Sequence, residues 1–194
     1  VEHPVNKRLI TAAVIILILG AVYAAYRYGE AKRTPGVPVP EEAVEAAKIL
    51  PQTRQIDLFF ADEAGRRLSI ERREVTGENR EDLIRKVMEE LIRGPVDSGR
   101  LRTLPETVQV RTVYFKDGTV WVDMDSSVRD EHPGGTWTEV LAVYSVVNTL
   151  AENFSDVQQV QVLIEGSESD TLAGHVDISK PLISRVQLLA GDWE

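Results

Sequence analysis

Cysteine is absent from the 194 residues, which rules out disulfides, thiolate zinc sites, iron–sulfur clusters, a cysteine nucleophile and a lipid-modified cysteine within this sequence. Histidine is nearly as scarce. His3, His132 and His175 are the whole supply, too few for a dedicated histidine metal site. Neither G-x-x-x-x-G-K-S/T nor G-x-G-x-x-G occurs, and no G-x-S-x-G offers a nucleophile elbow. Asp123-x-Asp125-x-Ser127 imitates the start of a calcium loop, but the sixth position is Val128 instead of glycine and the twelfth is Gly134 instead of glutamate. No cofactor, metal or nucleotide is therefore expected.

Positive charge is short everywhere except at the N-terminus. Residues 1–34 hold five basic and two acidic side chains, a net of +3, whereas the remaining residues hold 17 basic and 29 acidic ones, a net of −12. Binding to a phosphate backbone rests on clustered lysine and arginine, so nucleic acid is not an expected partner of this acidic portion. At 43% hydrophobic and 27% charged residues, the composition still supplies an ordinary globular core.

One long apolar run is present. Leu9–Tyr26 (LITAAVIILILGAVYAAY) carries no charge over 18 residues, close to the ~20 needed to cross a bilayer core. Lys7 and Arg8 precede it, Arg27, Lys32 and Arg33 follow it, and Tyr23, Tyr26 and Tyr28 suit an interfacial belt. A cleaved signal peptide would use Val22-Tyr23-Ala24, but the run exceeds the usual h-region of roughly 7–15 residues, so an uncleaved anchor is expected. The expected topology has residues 1–8 inside, a transmembrane segment at 9–28, and the acidic bulk on the extracytoplasmic side of a bacterial cytoplasmic membrane. Gly20 with Ala24, and Ala21 with Ala25, would let two such helices pack closely; a monomeric anchor fits the same small residues. Thr34–Pro40 brings three prolines, an extended spacer, and Glu41–Leu50 reads as a short helix; residues 29–51 together form the linker.

The remainder reads as alternating hairpins and helices. Ile56–Phe60 and Leu68–Val75 flank the turn residues Asp62–Gly65. Asn79 caps a helix through Arg93, with Leu83, Ile84, Val87, Met88, Leu91 and Ile92 on one stripe and Gly94-Pro95 at its end. Val108–Phe115 and Val120–Asp125 flank Asp117-Gly118, a two-residue hairpin signal. A helix over 136–152 holds only Glu139 and Glu152 as charges, so burial on most of its circumference is expected; Val160–Ile164 then alternates as a strand. The order ββαββαβ predicts an α+β domain over 52–181, two helices packed on one face of a small mixed or antiparallel sheet, with residues 182–194 as a C-terminal tail.

Chemistry has few places to hide. Asp123 and Asp125 would share one face of a strand, where a like-charge pair raises one pKa, and His132 stands in the His-Pro-Gly-Gly loop before the second helix. These three residues define an alternative, a glycan-binding or hydrolytic module of the envelope. The simpler expectation is that Pro133, Gly134 and Gly135 turn the chain, Thr136 caps the helix, and Glu139 completes a T-x-x-E capping box.

The segments, taken in order, resemble the GerMN domain family of sporulation and spore germination proteins. Leu58–Asp62 (LFFAD), Arg72–Val75, Leu91–Pro95 (LIRGP), Leu104-Pro105, Val120–Asp123 (VWVD), Gly134-Gly135 before Glu139, Val146–Leu150 (VVNTL), Val162–Gly166 and His175 carry the resemblance, over about residues 55–181. It implies a non-catalytic, extracytoplasmic α+β module that packs against copies of itself or other envelope proteins. One copy of the motif set and an apolar anchor in place of a lipidated cysteine point to a general envelope role.

Overall fold

Pairing between Gln52–Asp62 (β1) and Leu68–Gly77 (β2) begins the fold in the computed structural model, which describes residues 51–188. The hairpin closes where the Asp62 N–H donates to the Arg67 carbonyl and the Gly65 N–H returns to the Asp62 carbonyl, so the expected turn residues make the turn. Helix α1 (Arg80–Arg93) follows with Asn79 as N-cap, its side chain accepting the Asp82 N–H at 2.9 Å. All six residues of the expected stripe are buried. At the other end two arginines satisfy the orphaned carbonyls. Arg73 donates to Glu90 and Gly94, and Arg102 donates to Ile92 and Arg93.

A two-residue strand, β3 (Arg100–Leu101), pairs with the end of β1. Then β4 (Val110–Lys116) and β5 (Thr119–Met124) form the second hairpin around Asp117 and Gly118, both at positive φ, 48° and 78°. A short helix α2 (Ser127–Asp130) and the long α3 (Thr136–Asn153) cross over to β6 (Gln159–Ile164), which lies parallel to β5. Eleven residues of α3 are buried, as its apolar composition predicts. A parallel partner after a helical crossover is the expected outcome for a strand that cannot be reached by a tight turn.

The domain is α+β, but the strands form two three-stranded sheets, β2-β1-β3 and β4-β5-β6, instead of the single sheet expected. The reason lies on the free edge of β1. Asn153 of α3 accepts the Asp57 N–H at 2.8 Å and donates to the Asp57 carbonyl at 2.7 Å, while Thr149 accepts the Phe59 N–H at 3.2 Å. Side chains of a helix thus occupy the positions that a fifth ladder, joining the two sheets, would need. The helices are correspondingly not laid on one face: α1 packs on β1, β2 and β4, α3 packs on β1 and β6, and the two touch each other. One continuous core results, with Phe59, Phe60, Leu83, Met88, Met124 and Phe154 among its largest fully buried side chains.

The chain stays on the domain beyond residue 181. Leu182 exchanges backbone hydrogen bonds with Val160, Asn148 pairs with the backbone of Arg185, and Leu188 is buried, so 182–188 is packed structure. Among the described residues no helix is long and apolar enough to cross a membrane. The expected anchor at 9–28, its packing positions Gly20, Ala21, Ala24 and Ala25, and the linker up to residue 50 lie outside the described residues.

Candidate functional site

The residues singled out for chemistry are each tied to a backbone amide. Asp123 lies next to the end of β5, where its Oδ1 accepts the Gly166 N–H at 2.7 Å and fixes the turn after β6. Asp125 falls beyond the strand, so strand geometry does not set its direction. Its Oδ1 accepts the Gln109 N–H and the Ser127 hydroxyl, joining the approach to β4 with the start of α2. His132 is half-buried, and its Nδ1 accepts the Gly134 N–H at 3.0 Å, which places the proton of the neutral ring on Nε2. Burial lowers the His132 pKa against the opposing charge of Glu139 and a hydrogen bond to the Thr138 backbone, so the ring is neutral at pH 7.

No hollow described here gathers all three. Asp123 faces one formed by the second sheet, whereas His132 lines two others near the N-terminus of α3. Among the described residues no cluster of three or more histidine, aspartate and glutamate side chains could hold a metal ion.

Glu139 differs most from its expected role. The N-cap of α3 is Gly135, at φ 90°, with no side-chain cap, and Thr136 does not complete a capping box. Glu139 is fully buried and points at the C-terminal loop: Oε1 accepts the N–H groups of Ala173 and Val176, and Oε2 accepts the N–H of His175 and meets His175 Nδ1 at 2.9 Å. Burial pushes its carboxyl up, but the amides and the His175 ring outweigh it and hold the pKa below the usual carboxylate value. The signal available in the sequence is a carboxylate set directly before the largely apolar run Val140–Val147 of a helix whose other charge, Glu152, stands at its far end, a charge that demands partners if buried.

Two surfaces have the makings of a binding site. The first is a groove of about 230 Å³ between the β1–β2 hairpin, the 101–105 segment and the entrance to α3. Ala61, Leu104, Pro105, Pro133 and Leu141 give it an apolar floor; Arg102, Glu131 and His132 are polar lining groups. Leu101, which lines it, and Trp137, which donates from Nε1 to the Arg66 carbonyl, stay 45% and 39% exposed although large apolar side chains gain by burial. The second is the outer face of the β4-β5-β6 sheet. Register puts Tyr114 opposite Trp121, and Thr112 opposite Asp123, with Leu163 beside Asp123 on β6. The rings of Tyr114 and Trp121 lie 5.6 Å apart, tilted by 38°. A β-bulge between Val110 and Thr112 leaves Arg111 unpaired in the ladder and aims it at Glu165, 2.8 Å away, and at Asp123, 3.8 Å away.

A family model described as Germane, sporulation and spore germination, matches residues 57–170, which span the hairpin, α1, the second sheet and α3. The chain belongs to the Germane family. Among solved structures, the first GerMN domain of the sporulation protein GerM from Bacillus subtilis is similar at 21% identity, covering 68% of this chain and 98% of that one, with a TM-score of 0.53. The tandem GerMN domains of the same protein align at 22% identity over 80% of this chain and 50% of theirs, with a TM-score of 0.48. No curated protein matches. At this identity the likeness of the Germane domain to GerM is one of fold.

Proposed function

We propose that this Germane protein is a non-catalytic interaction and assembly module of the bacterial cell envelope, held at the cytoplasmic membrane by residues 9–28 with its domain on the extracytoplasmic side. The observation that carries the reading is the apolar groove lined by Leu101, with the exposed Trp137 next in sequence to the lining Thr138. An apolar floor with a polar rim is the anatomy of a protein interface, and tryptophan is among the residues that dominate such interfaces. The groove takes a side chain from another envelope protein or from a second copy of the chain. The commitment of Asp123, Asp125, His132 and Glu139 to backbone amides agrees with a structural role for the polar groups. The uncharged run Leu9–Tyr26 and the proline spacer after it support the tether.

Chemical crosslinking of the full-length chain in native membranes tests this, with sedimentation of the detergent-solubilised protein as a second readout. Wild type should give a discrete adduct or a sedimenting oligomer, and Leu101→Glu, which places a charge at the groove without touching the core, should abolish it. A monomer with no adduct would sink the proposal.

A further inference from the structure

We propose that the outer face of the β4-β5-β6 sheet is a saccharide-binding platform, distinct from the groove. Three features of this face converge on one ligand chemistry. The first is the apolar platform itself: Tyr114 is 52% exposed, and it stands beside Trp121 on the pleated face with Leu163 two strands away. Aromatic rings laid open on a sheet accept the apolar C–H face of a pyranose. The second is the edge of the platform. The Asp123 side chain is only 10% exposed, its Oδ1 is held by the Gly166 N–H, and Arg111 Nη1 stands 3.8 Å from Oδ2, beyond hydrogen-bond reach. Oδ2 therefore keeps acceptor capacity for a ligand hydroxyl. Thr112 lines the same hollow.

The third feature is charge. Arg111 is already paired with Glu165 and lies next to Asp123, so one cation faces two carboxylates and the edge keeps an excess of negative charge. A phosphate would be repelled by that excess, whereas a neutral polyol uses the donors and acceptors as they stand. Size agrees. The hollow holds about 490 Å³, the scale of a small-ligand site. Its apolar part is three side chains, well short of the roughly 800 Å² per partner of a stable protein interface.

The test is calorimetric titration of the full-length protein in detergent with a β-1,4-linked N-acetylglucosamine tetrasaccharide. Saturable binding is expected, weakened about tenfold or more by Trp121→Ala and by Tyr114→Ala, and held within about threefold by Trp121→Phe, which keeps an aromatic face. Leu101→Glu should bind the sugar as wild type does, so a failed groove leaves this result readable. Circular dichroism of each variant separates lost binding from lost fold, and Trp121→Phe keeps the question open to refutation if the alanine variants unfold. Absence of saturable binding, or binding untouched by both alanine variants in folded protein, overturns the proposal.

Discussion

α1 and α3 are both core helices, 14 and 18 residues long, yet they spend their polar side chains in opposite directions. α1 has its first turn capped by the residue just before it, keeps Glu89 and Arg93 in solvent, and has its last carbonyls taken by arginines that reach in from β2 and the following loop. α3 has no side-chain cap at its start. Its polar groups reach remote backbone instead: Glu139 holds residues 173–176, Asn148 holds Arg185, and Thr149 and Asn153 hold β1. α1 is thus capped locally and reaches outward through Arg80 to Asp156 and Arg85 to the Val110 carbonyl, whereas α3 is the post to which the first strand and the C-terminal segment are tied.

If that contrast is right, cutting a tie of α3 costs more than removing a cap of α1. Glu139→Ala strips the shared acceptor from three main-chain N–H groups and should destabilise the domain by about 3–5 kcal/mol in urea unfolding. The same residue sets a pH dependence. Its folded pKa lies below the ordinary glutamate value of 4.5, so its contribution is fully present above that value and is lost as pH falls through the lower, folded one. Wild type should therefore lose stability more steeply below pH ~4.5 than Glu139→Gln, measured by thermal melts across an acid pH series.

Asn153→Ala comes next. It opens the edge of β1 by removing one acceptor and one donor from Asp57, at a cost of about 1–3 kcal/mol, with faster amide exchange at Asp57 as the local signature. Asn79→Ala removes the cap of α1 and should cost about 1 kcal/mol. Should that variant prove less stable than Glu139→Ala, the contrast between the helices fails. Leu101→Ser is expected to be smallest in stability, within roughly 0.5 kcal/mol, because the residue is already 45% exposed; its effect belongs to partner binding.

The same contrast explains what could be read from the sequence. α1 was legible to its cap, stripe and terminal glycine because all three signals lie within a few residues of one another. Both hairpins were legible for the same reason. Asp117-Gly118 fixes its register, so the meeting of Tyr114 with Trp121 follows from counting back from the turn. The capping box expected at α3 does not form because the true partners of Glu139 lie 34 to 37 residues away, where no local rule reaches. Division into two sheets was hidden in the same manner. It depends on Asn153 finding Asp57 across 96 residues of chain. For the candidate site, the sequence pairs Asp123 with Asp125 and His132, whereas in the fold Asp123 lines a hollow of the second sheet and His132 lines others, because the crossover between β5 and α3 keeps them apart.

The central claim is that the groove beside Leu101 meets another protein in the envelope. A photo-crosslinking residue placed at position 101 of the full-length chain, with one at the exposed Glu89 of α1 as control, tests it in living cells. The account predicts a discrete covalent adduct with a second copy or an envelope protein from position 101 and none from 89. No adduct from 101, or the same adducts from both positions, would contradict it.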